Sequence, residues 1–230
     1  MVSNANAYDT VHTMLPPGTA PTEYLARMEK FSVSLSSFQI FLGLKKNLVR
    51  EIGIKDTEIF HESGYEADAS YRASLHADVE HGGWCVMLYD NVYRGYSPQG
   101  KNTLSILALQ GYDHWLPYEV DYFKNRKDAY RREKERLADI LIDKVGQTLL
   151  PGLRRAIEVK EIGTPLTNVR YTGNYRGAVY GWIRRSTTPG RGACPTPRRS
   201  RISTSPVHGH DRAMATAVSS AAVCSALPKS

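Results

Sequence analysis

The feature that most constrains this chain is an abrupt change of composition after Trp182. The segment 1–182 contains 22 basic and 22 acidic residues, whereas the segment 183–230 contains eight basic residues and one acidic residue. The whole net charge of +7 therefore lies after Trp182, in a segment without Phe, Tyr or Trp. A segment so rich in Arg, Pro, Ser, Thr and Ala buries too little apolar surface to offset its ordering entropy. We therefore predict a folded body followed by a disordered basic tail at residues 183–230.

Two interpretations of the tail are open. In the first, it is a basic arm that binds nucleic acid or an acidic lipid surface. In the second, one base was lost just after the Trp182 codon, so that the tail is read out of frame. Restoring the frame over Ile202–Ser230 permits the peptide L-Y-L-A-G-A-W-T-R-P-G-H-G-Y-G-G-V-I-S-S-G-L-F-C-F-A-E-I. This peptide has the pattern of a buried strand, a glycine-rich turn and a small-residue helix, which favours the frameshift.

The body up to Trp182 is long enough for one domain with a sizeable core, or for most of one. It contains no apolar stretch of the ~18 residues needed to cross a bilayer, and the polar start Met1–Thr10 is not that of a signal peptide. Cys85 lies in an apolar run, which favours a core position over a reactive nucleophile. No metal site is predicted, because the spacing of the tail's cysteines and histidines matches no zinc pattern. These residues are Cys194, His208, His210 and Cys224.

The spacing of apolar residues predicts an α+β fold, with helices on a mixed or antiparallel sheet. A first helix is expected from Thr22, with Thr22 as its N-cap, and a second over Lys45–Ile52, closed by Gly53. Five strands are expected. They are Phe31–Leu44, Thr57–His61, Trp84–Asp90, Thr103–Gln110 and Ile157–Ile162. The third and fourth strands are read as a hairpin or as sheet neighbours with a wide connection.

A third and longest helix is expected over Asp121–Leu150. It combines an apolar stripe with many charges, and Asp128 is spaced to pair with Arg132 one turn later. The charged stretch Lys124–Arg136 could be a phosphate-binding patch. Because acids are interleaved with the bases, a solvated helix face is the preferred interpretation.

The segment Gly163–Trp182 is the one whose composition points to a ligand. Gly173, Gly177 and Gly181 recur at four-residue spacing among tyrosines. Glycine lets a backbone approach a flat ligand closely, and aromatic rings offer stacking faces beside it. Glycine and tyrosine also make ordinary turns, so composition alone leaves both interpretations open.

Several motifs in the body up to Trp182 resemble the phytoene desaturase, carotenoid isomerase and retinol saturase family of flavoproteins. The most specific is Thr164-Pro165, Thr167 and Arg170–Asn174, followed by Gly177 and Tyr180-Gly181. Phe38–Leu44 resembles the central substrate-domain strand of that family, and Tyr96–Lys101 resembles one of its loops. Pro151–Leu153 resembles the turn before the Thr-Pro motif, and Val2–Ala5 a strand crossing back toward the flavin domain. The restored peptide resembles the final flavin-binding strand and helix, whose backbone N–H groups meet the cofactor.

The resemblance implies an FAD-dependent oxidoreductase that desaturates, saturates or isomerises a carotenoid-like or retinoid-like polyene in an apolar tunnel. The expected organisation is a strand end and linker at 1–19, a substrate domain at 20–162, a flavin-contacting segment at 163–182 and the tail at 183–230. The expected cofactor-binding residues are Arg170, Gly173, Asn174, Gly177 and Gly181.

No catalytic residue is assigned. The histidines of the body are scattered along the chain and are expected to be surface or packing residues. They include His61, His76, His81 and His114. The chain has no Gly-x-Gly-x-x-Gly after a strand, so the phosphate-cradling turn of a dinucleotide fold is missing. We therefore expect a C-terminal fragment that binds FAD poorly and is inactive alone.

Two rival functions remain open. One is a binding module that uses the basic tail to hold nucleic acid or a lipid surface. The lack of aromatic residues in the tail and the neutral body argue against it, and no nucleic-acid partner is expected. The other is a non-catalytic lipid-binding protein that keeps the apolar tunnel. The expected localisation is cytoplasmic, with peripheral membrane contact compatible with a lipid substrate, although no amphipathic anchor stands out.

Overall fold

The structure, a computed structural model, describes residues 3 and 5–183, which fall into two compact units divided after Phe31. All of the predicted tail except Ile183 therefore lies outside the described residues, and so do the cysteines and histidines considered there as zinc ligands. Val2 and Asn4 of the predicted strand end also lie outside them.

In the first unit, helix α1 (Ala7–Asp9) continues into a π-helical turn at Thr10–Met14, and α2 spans Thr22–Met28. Helix α2 begins where predicted, but its N-cap is Pro21 rather than Thr22, since the carbonyl of Pro21 accepts from the amides of Tyr24 and Leu25.

The second unit, Ser32–Ile183, is built on an antiparallel sheet of five strands. These are β1 (Ser36–Leu44), β2 (Glu58–His61), β3 (Trp84–Met87), β4 (Asn102–Gln110) and β5 (Ile157–Gly163). Their order in the sheet is β2-β3-β4-β1-β5, so β1 and β4 are central. The predicted α+β fold with an antiparallel sheet is confirmed, and β3 and β4 are sheet neighbours joined by a wide connection.

One face of the sheet carries the core. Phe38, Ile40 and Leu42 alternate along β1, and Ile40 pairs across the strands with Ile106 of β4 and Ile162 of β5. Ile40 and Ile106 are fully buried. Side chains of alternate residues point to one face of a strand, so this register places one continuous apolar layer under the helices.

The helices of this unit are α3 (Leu48–Ile52), α4 (Ala67–Leu75), α5 (Leu116–Phe123), α6 (Asp128–Thr148), α7 (Leu153–Ala156) and α8 (Pro165–Thr172). Helix α3 ends at Gly53, which adopts φ 87° as a left-handed cap, as the sequence predicts. Helix α6 adds Leu137, Leu141 and Val145 to the core. No helix in the described part of the chain is long and apolar enough to cross a membrane.

The prediction of one long helix over Asp121–Leu150 is wrong in one respect, because two helices, α5 and α6, share this stretch. Helix α5 ends in a Schellman motif, in which the amide of Asn125 donates to the carbonyl of Tyr122 and the amide of Arg126 to that of Asp121. Asn125 takes the left-handed conformation, with φ 61°, that this motif requires. The chain then turns and restarts at Asp128, whose ion pair is with Arg131 at 3.7 Å rather than with Arg132.

The second sheet face is defined here by Gln39, Phe41, Phe60, Cys85 and Leu107. Gln39, Leu107, Cys85 and Phe60 are cross-strand neighbours in one row from β1 to β2. Phe41 and Phe60 remain 47% and 59% exposed. Cys85 is buried, as predicted, and burial raises the pKa of its thiol to about 11. Its thiol is therefore unreactive near neutral pH.

Candidate functional site

The candidate site starts where β5 passes into α8. Thr164 caps the helix in a capping box, in which its hydroxyl accepts from the amide of Thr167 and the hydroxyl of Thr167 accepts from the amide of Thr164. Pro165 occupies the first turn, where a missing N–H is harmless. The Tyr130 hydroxyl of α6 lies 3.1 Å from the Thr164 hydroxyl and 3.3 Å from the Thr167 hydroxyl. Burial raises the pKa of Tyr130 although these hydroxyls oppose the shift, so the phenol stays neutral.

Asn168 joins α8 to the start of the central strand. Its side-chain amide donates to the Ser36 hydroxyl and to the hydroxyl and carbonyl of Ser37, each at 3.0 Å. The Ser36 hydroxyl in turn donates to the carbonyl of Gly177 at 2.6 Å. Both serines are buried, at 0% and 3% exposure. This network fixes the glycine-containing turn against β1, and the sequence did not predict it.

Three of the five predicted cofactor residues lie in the turn after α8. Gly173 closes the helix in the left-handed conformation, with φ 69°. Asn174 donates its side-chain amide to the carbonyl of Ala178 at 3.2 Å. Gly177 has φ 60°, and a Cβ added there would lie 2.6 Å from the carbonyl oxygen of Pro165. The absence of a side chain at Gly177 therefore lets two segments of this protein pack together.

The other two predicted cofactor residues lie apart from that turn. Arg170 is exposed on the last turn of α8, with its guanidinium 5.8 Å from the centre of the Tyr171 ring. Gly181 adjoins the isolated antiparallel bridge between Val33 and Trp182, and its carbonyl accepts from the amide of Ser34 at 2.8 Å. A Cβ added at Gly181 would meet nothing within 4 Å, so open space lies beside this backbone.

The segment offers an aromatic surface rather than an acid–base pair. Tyr171, Tyr175 and Tyr180 are exposed, at 78%, 37% and 51%. The body's histidines lie on other elements. His61 stacks on Trp84 with ring centres 4.5 Å apart, and His114 lies 2.9 Å from the Glu133 carboxylate. The arrangement can hold a flat or apolar molecule, and no described side chain of the segment is placed to move a proton.

A second polar network fixes the loop before β4, which includes the Tyr96–Lys101 stretch singled out in the sequence. One carboxylate oxygen of Asp90 accepts from the Ser97 hydroxyl at 2.7 Å, the Asn102 amide at 2.6 Å and the backbone amide of Thr103 at 2.7 Å. Burial raises the pKa of Asp90, but these hydrogen bonds outweigh burial and lower it overall. The loop is therefore held by one ionised carboxylate, a role of Asp90 that the sequence pattern does not predict.

Comparison with known proteins identifies relatives of this chain. No protein-family model matches it. It is 28% identical over 191 residues to "Prolycopene isomerase, chloroplastic" of Daucus carota, a match that covers 83% of this chain and 28% of that protein. It is 24% identical over 190 residues to "All-trans-retinol 13,14-reductase" of Danio rerio, covering 79% of this chain and 31% of that protein. The Arabidopsis thaliana prolycopene isomerase is 26% identical over 193 residues.

These relatives confirm the resemblance to the carotenoid isomerase and retinol saturase family. The chain spans about three tenths of the length of the curated relatives it matches. The regions of similarity cover 79–83% of this chain and therefore most of the described residues.

Proposed function

We propose that this chain is the substrate-binding part of an FAD-dependent oxidoreductase or isomerase that acts on a carotenoid-like or retinoid-like polyene. The observation that carries the proposal is the similarity to proteins named as a prolycopene isomerase and a retinol reductase. When bound, FAD would supply the redox chemistry, and this chain's part would be to hold and orient the polyene. A non-catalytic lipid-binding protein is the alternative that the same surface would support.

The second sheet face supports binding of an extended apolar molecule. Its cross-strand row from Gln39 to Phe60 spans four strands, or roughly 14 Å at the usual strand spacing. Phe41 and Phe60 expose apolar surface there, and the buried Cys85 adds no charge. An exposed apolar patch on a folded protein commonly marks a binding surface. Gln39 is the one polar side chain of the row and could hydrogen-bond a ligand hydroxyl.

The fit to a flavin differs among the five predicted residues. Gly181 fits, because open space lies beside its backbone and the exposed Tyr180 is its neighbour. Arg170 fits because it is an exposed cation that could pair with an anionic group of the cofactor. Gly177 does not fit, because its close approach is to Pro165 and Ser36. We therefore place the flavin-facing surface at Arg170 and at Tyr180-Gly181, with Gly173, Asn174 and Gly177 shaping the turn between them.

We also propose that residues after Trp182 are encoded out of frame and that the chain alone binds FAD weakly. The charge imbalance of the tail and the strand-turn-helix pattern of the restored peptide support this. Sequencing the gene across the Trp182 codon should find one additional G. A confirmed sequence would leave the tail genuine and would return the basic-arm interpretation to consideration. Stoichiometric flavin absorbance in the purified chain would contradict weak FAD binding.

Titration of the full chain with all-trans-retinol tests the polyene surface, with energy transfer from tryptophan as the signal. Replacing Phe41 by Gln should raise the Kd about tenfold, because an apolar ring worth about 1.5 kcal/mol of burial is lost. Val92→Gln is the control, since Val92 is 53% exposed in the loop before β4. Equal affinities of the Phe41 variant and the unaltered chain would contradict the assignment.

A further inference from the structure

Helix α5 carries an apolar stripe that the core does not use. Leu116, Val120 and Phe123 are 40%, 59% and 52% exposed, whereas Tyr122 on the opposite side of the same helix is 5% exposed. At 3.6 residues per turn, the three exposed side chains fall within a sector of about 60°. We call Leu116, Val120 and Phe123 the α5 stripe.

Basic residues follow the stripe directly. Residues 116–132 contain five basic and three acidic residues, whereas residues 1–182 as a whole contain 22 of each. All three acids have partners: Glu119 accepts from the Tyr112 hydroxyl at 2.7 Å, Asp121 pairs with Arg126, and Asp128 pairs with Arg131. Lys124 and Arg132 are exposed and form no ion pair among the described residues. The surface beside the stripe is therefore positive.

We propose that the α5 stripe docks on a bilayer surface that contains anionic lipid. The three apolar side chains enter the boundary between headgroups and acyl chains, and Lys124 and Arg132 contact lipid phosphates. The exposed area of the stripe is on the order of 300 Å², well below the ~800 Å² per partner that a specific protein interface buries. This area and the adjoining positive charge favour a lipid surface over a second protein. The inference does not depend on the polyene or on FAD.

The test must separate the stripe from the basic tail, which will bind anionic vesicles by charge in any variant. An environment-sensitive fluorophore on Val120→Cys reports on the stripe, in a full chain with Cys194→Ser and Cys224→Ser. Cys85 needs no replacement, because it is buried and burial raises the pKa of its thiol to about 11. Val92→Cys is the matched control, since Val92 is 53% exposed and lies in the loop before β4, whereas α5 follows the other end of that strand.

With vesicles of equal parts phosphatidylcholine and phosphatidylglycerol, the label at 120 should brighten and shift to the blue, and the label at 92 should not. Vesicles of phosphatidylcholine alone should give a weaker change. An unchanged label at 120 on a chain that sediments with the vesicles would overturn the proposal, since the tail alone would then account for binding. An equal response of both labels would overturn it as well.

Sedimentation with unlabelled variants provides the second measurement. Val120→Gln with Phe123→Gln keeps the charge and should lower the vesicle partition coefficient about tenfold, because two apolar insertions are lost. Ile52→Gln with Val92→Gln removes two exposed apolar side chains elsewhere and should leave it unchanged. An equal fall of the partition coefficient in both double variants would contradict the proposal. A concentration-dependent dimer that the 120/123 pair abolishes, without a vesicle response, would reassign the stripe to a second copy of this chain.

Discussion

Replacing Gly111 by Ala is expected to destabilise the protein by about 3 kcal/mol or more. A Cβ at Gly111 would lie 2.2 Å from the carbonyl oxygen of Leu75 and 2.9 Å from its carbonyl carbon, so backbone would have to move. The Gly111 amide also donates to the Ser74 carbonyl at 2.8 Å, which holds the end of α4 on the sheet. Urea unfolding of the variant should show a lower midpoint with a similar slope.

The neighbours of Gly111 give it no room to shift. Gln110 is fully buried and accepts from the Trp115 indole at 2.9 Å, and Tyr112 is 7% exposed. Gly146→Ala is the control. Gly146 lies inside α6 with its nearest contact at 3.8 Å, so alanine should raise stability by up to about 1 kcal/mol through helix propensity. An unchanged midpoint for Gly111→Ala would show that α4 and β4 separate freely, which contradicts the packing.

The strands are predictable because apolar residues recur along them and are buried against the core. A strand is predicted over Thr103–Gln110, and β4 begins one residue earlier, at Asn102. The prediction for β1 began too early, at Phe31 instead of Ser36, since Val33 forms only a single bridge, with Trp182. The partner of Val33 lies at the far end of the body in sequence, so no local pattern could reveal it.

The helices were less predictable, because caps rather than periodicity determine their limits. The apolar period runs through the break between α5 and α6, and only Asn125 marked the left-handed turn. The sequence analysis predicts no helix over Pro165–Thr172, although Thr164, Pro165 and Thr167 form a start signal for α8. Helix α4 was missed because it has no clear apolar stripe.

The candidate site was predicted in position but not in organisation. Gly173, Asn174 and Gly177 do come together, because a turn brings neighbours in sequence together. The contacts that hold this turn come from Asn168 and Ser36, which are 132 residues apart. Buried polar networks of this kind depend on the tertiary packing. The sequence pattern therefore predicts the glycines of the turn but not the residues that hold the turn in place.

Replacing Gly177 by Ala is expected to lower the free energy of unfolding by about 3 kcal/mol. Alanine at φ 60° carries the strain of a left-handed L-residue, about 1 kcal/mol. Its Cβ would also lie 2.6 Å from the Pro165 carbonyl oxygen and 3.0 Å from the Ser36 hydroxyl oxygen. Displacing Ser36 would break its hydrogen bond to the Gly177 carbonyl and disturb its hydrogen bond with Asn168. The buried polar groups left without partners would add about 2 kcal/mol to the destabilisation.

Gly181→Ala separates packing from backbone strain, because Gly181 has φ 74° and open space around its Cβ position. It should cost only about 1 kcal/mol in the same urea titration. If Gly177 served mainly to admit a flat ligand, alanine at either position would change stability equally and would differ only in ligand binding. Equal unfolding midpoints for the two variants would therefore contradict the packing role of Gly177. A midpoint clearly lower for the Gly177 variant would assign the four-residue glycine spacing to two causes, close packing at Gly177 and an open surface at Gly181.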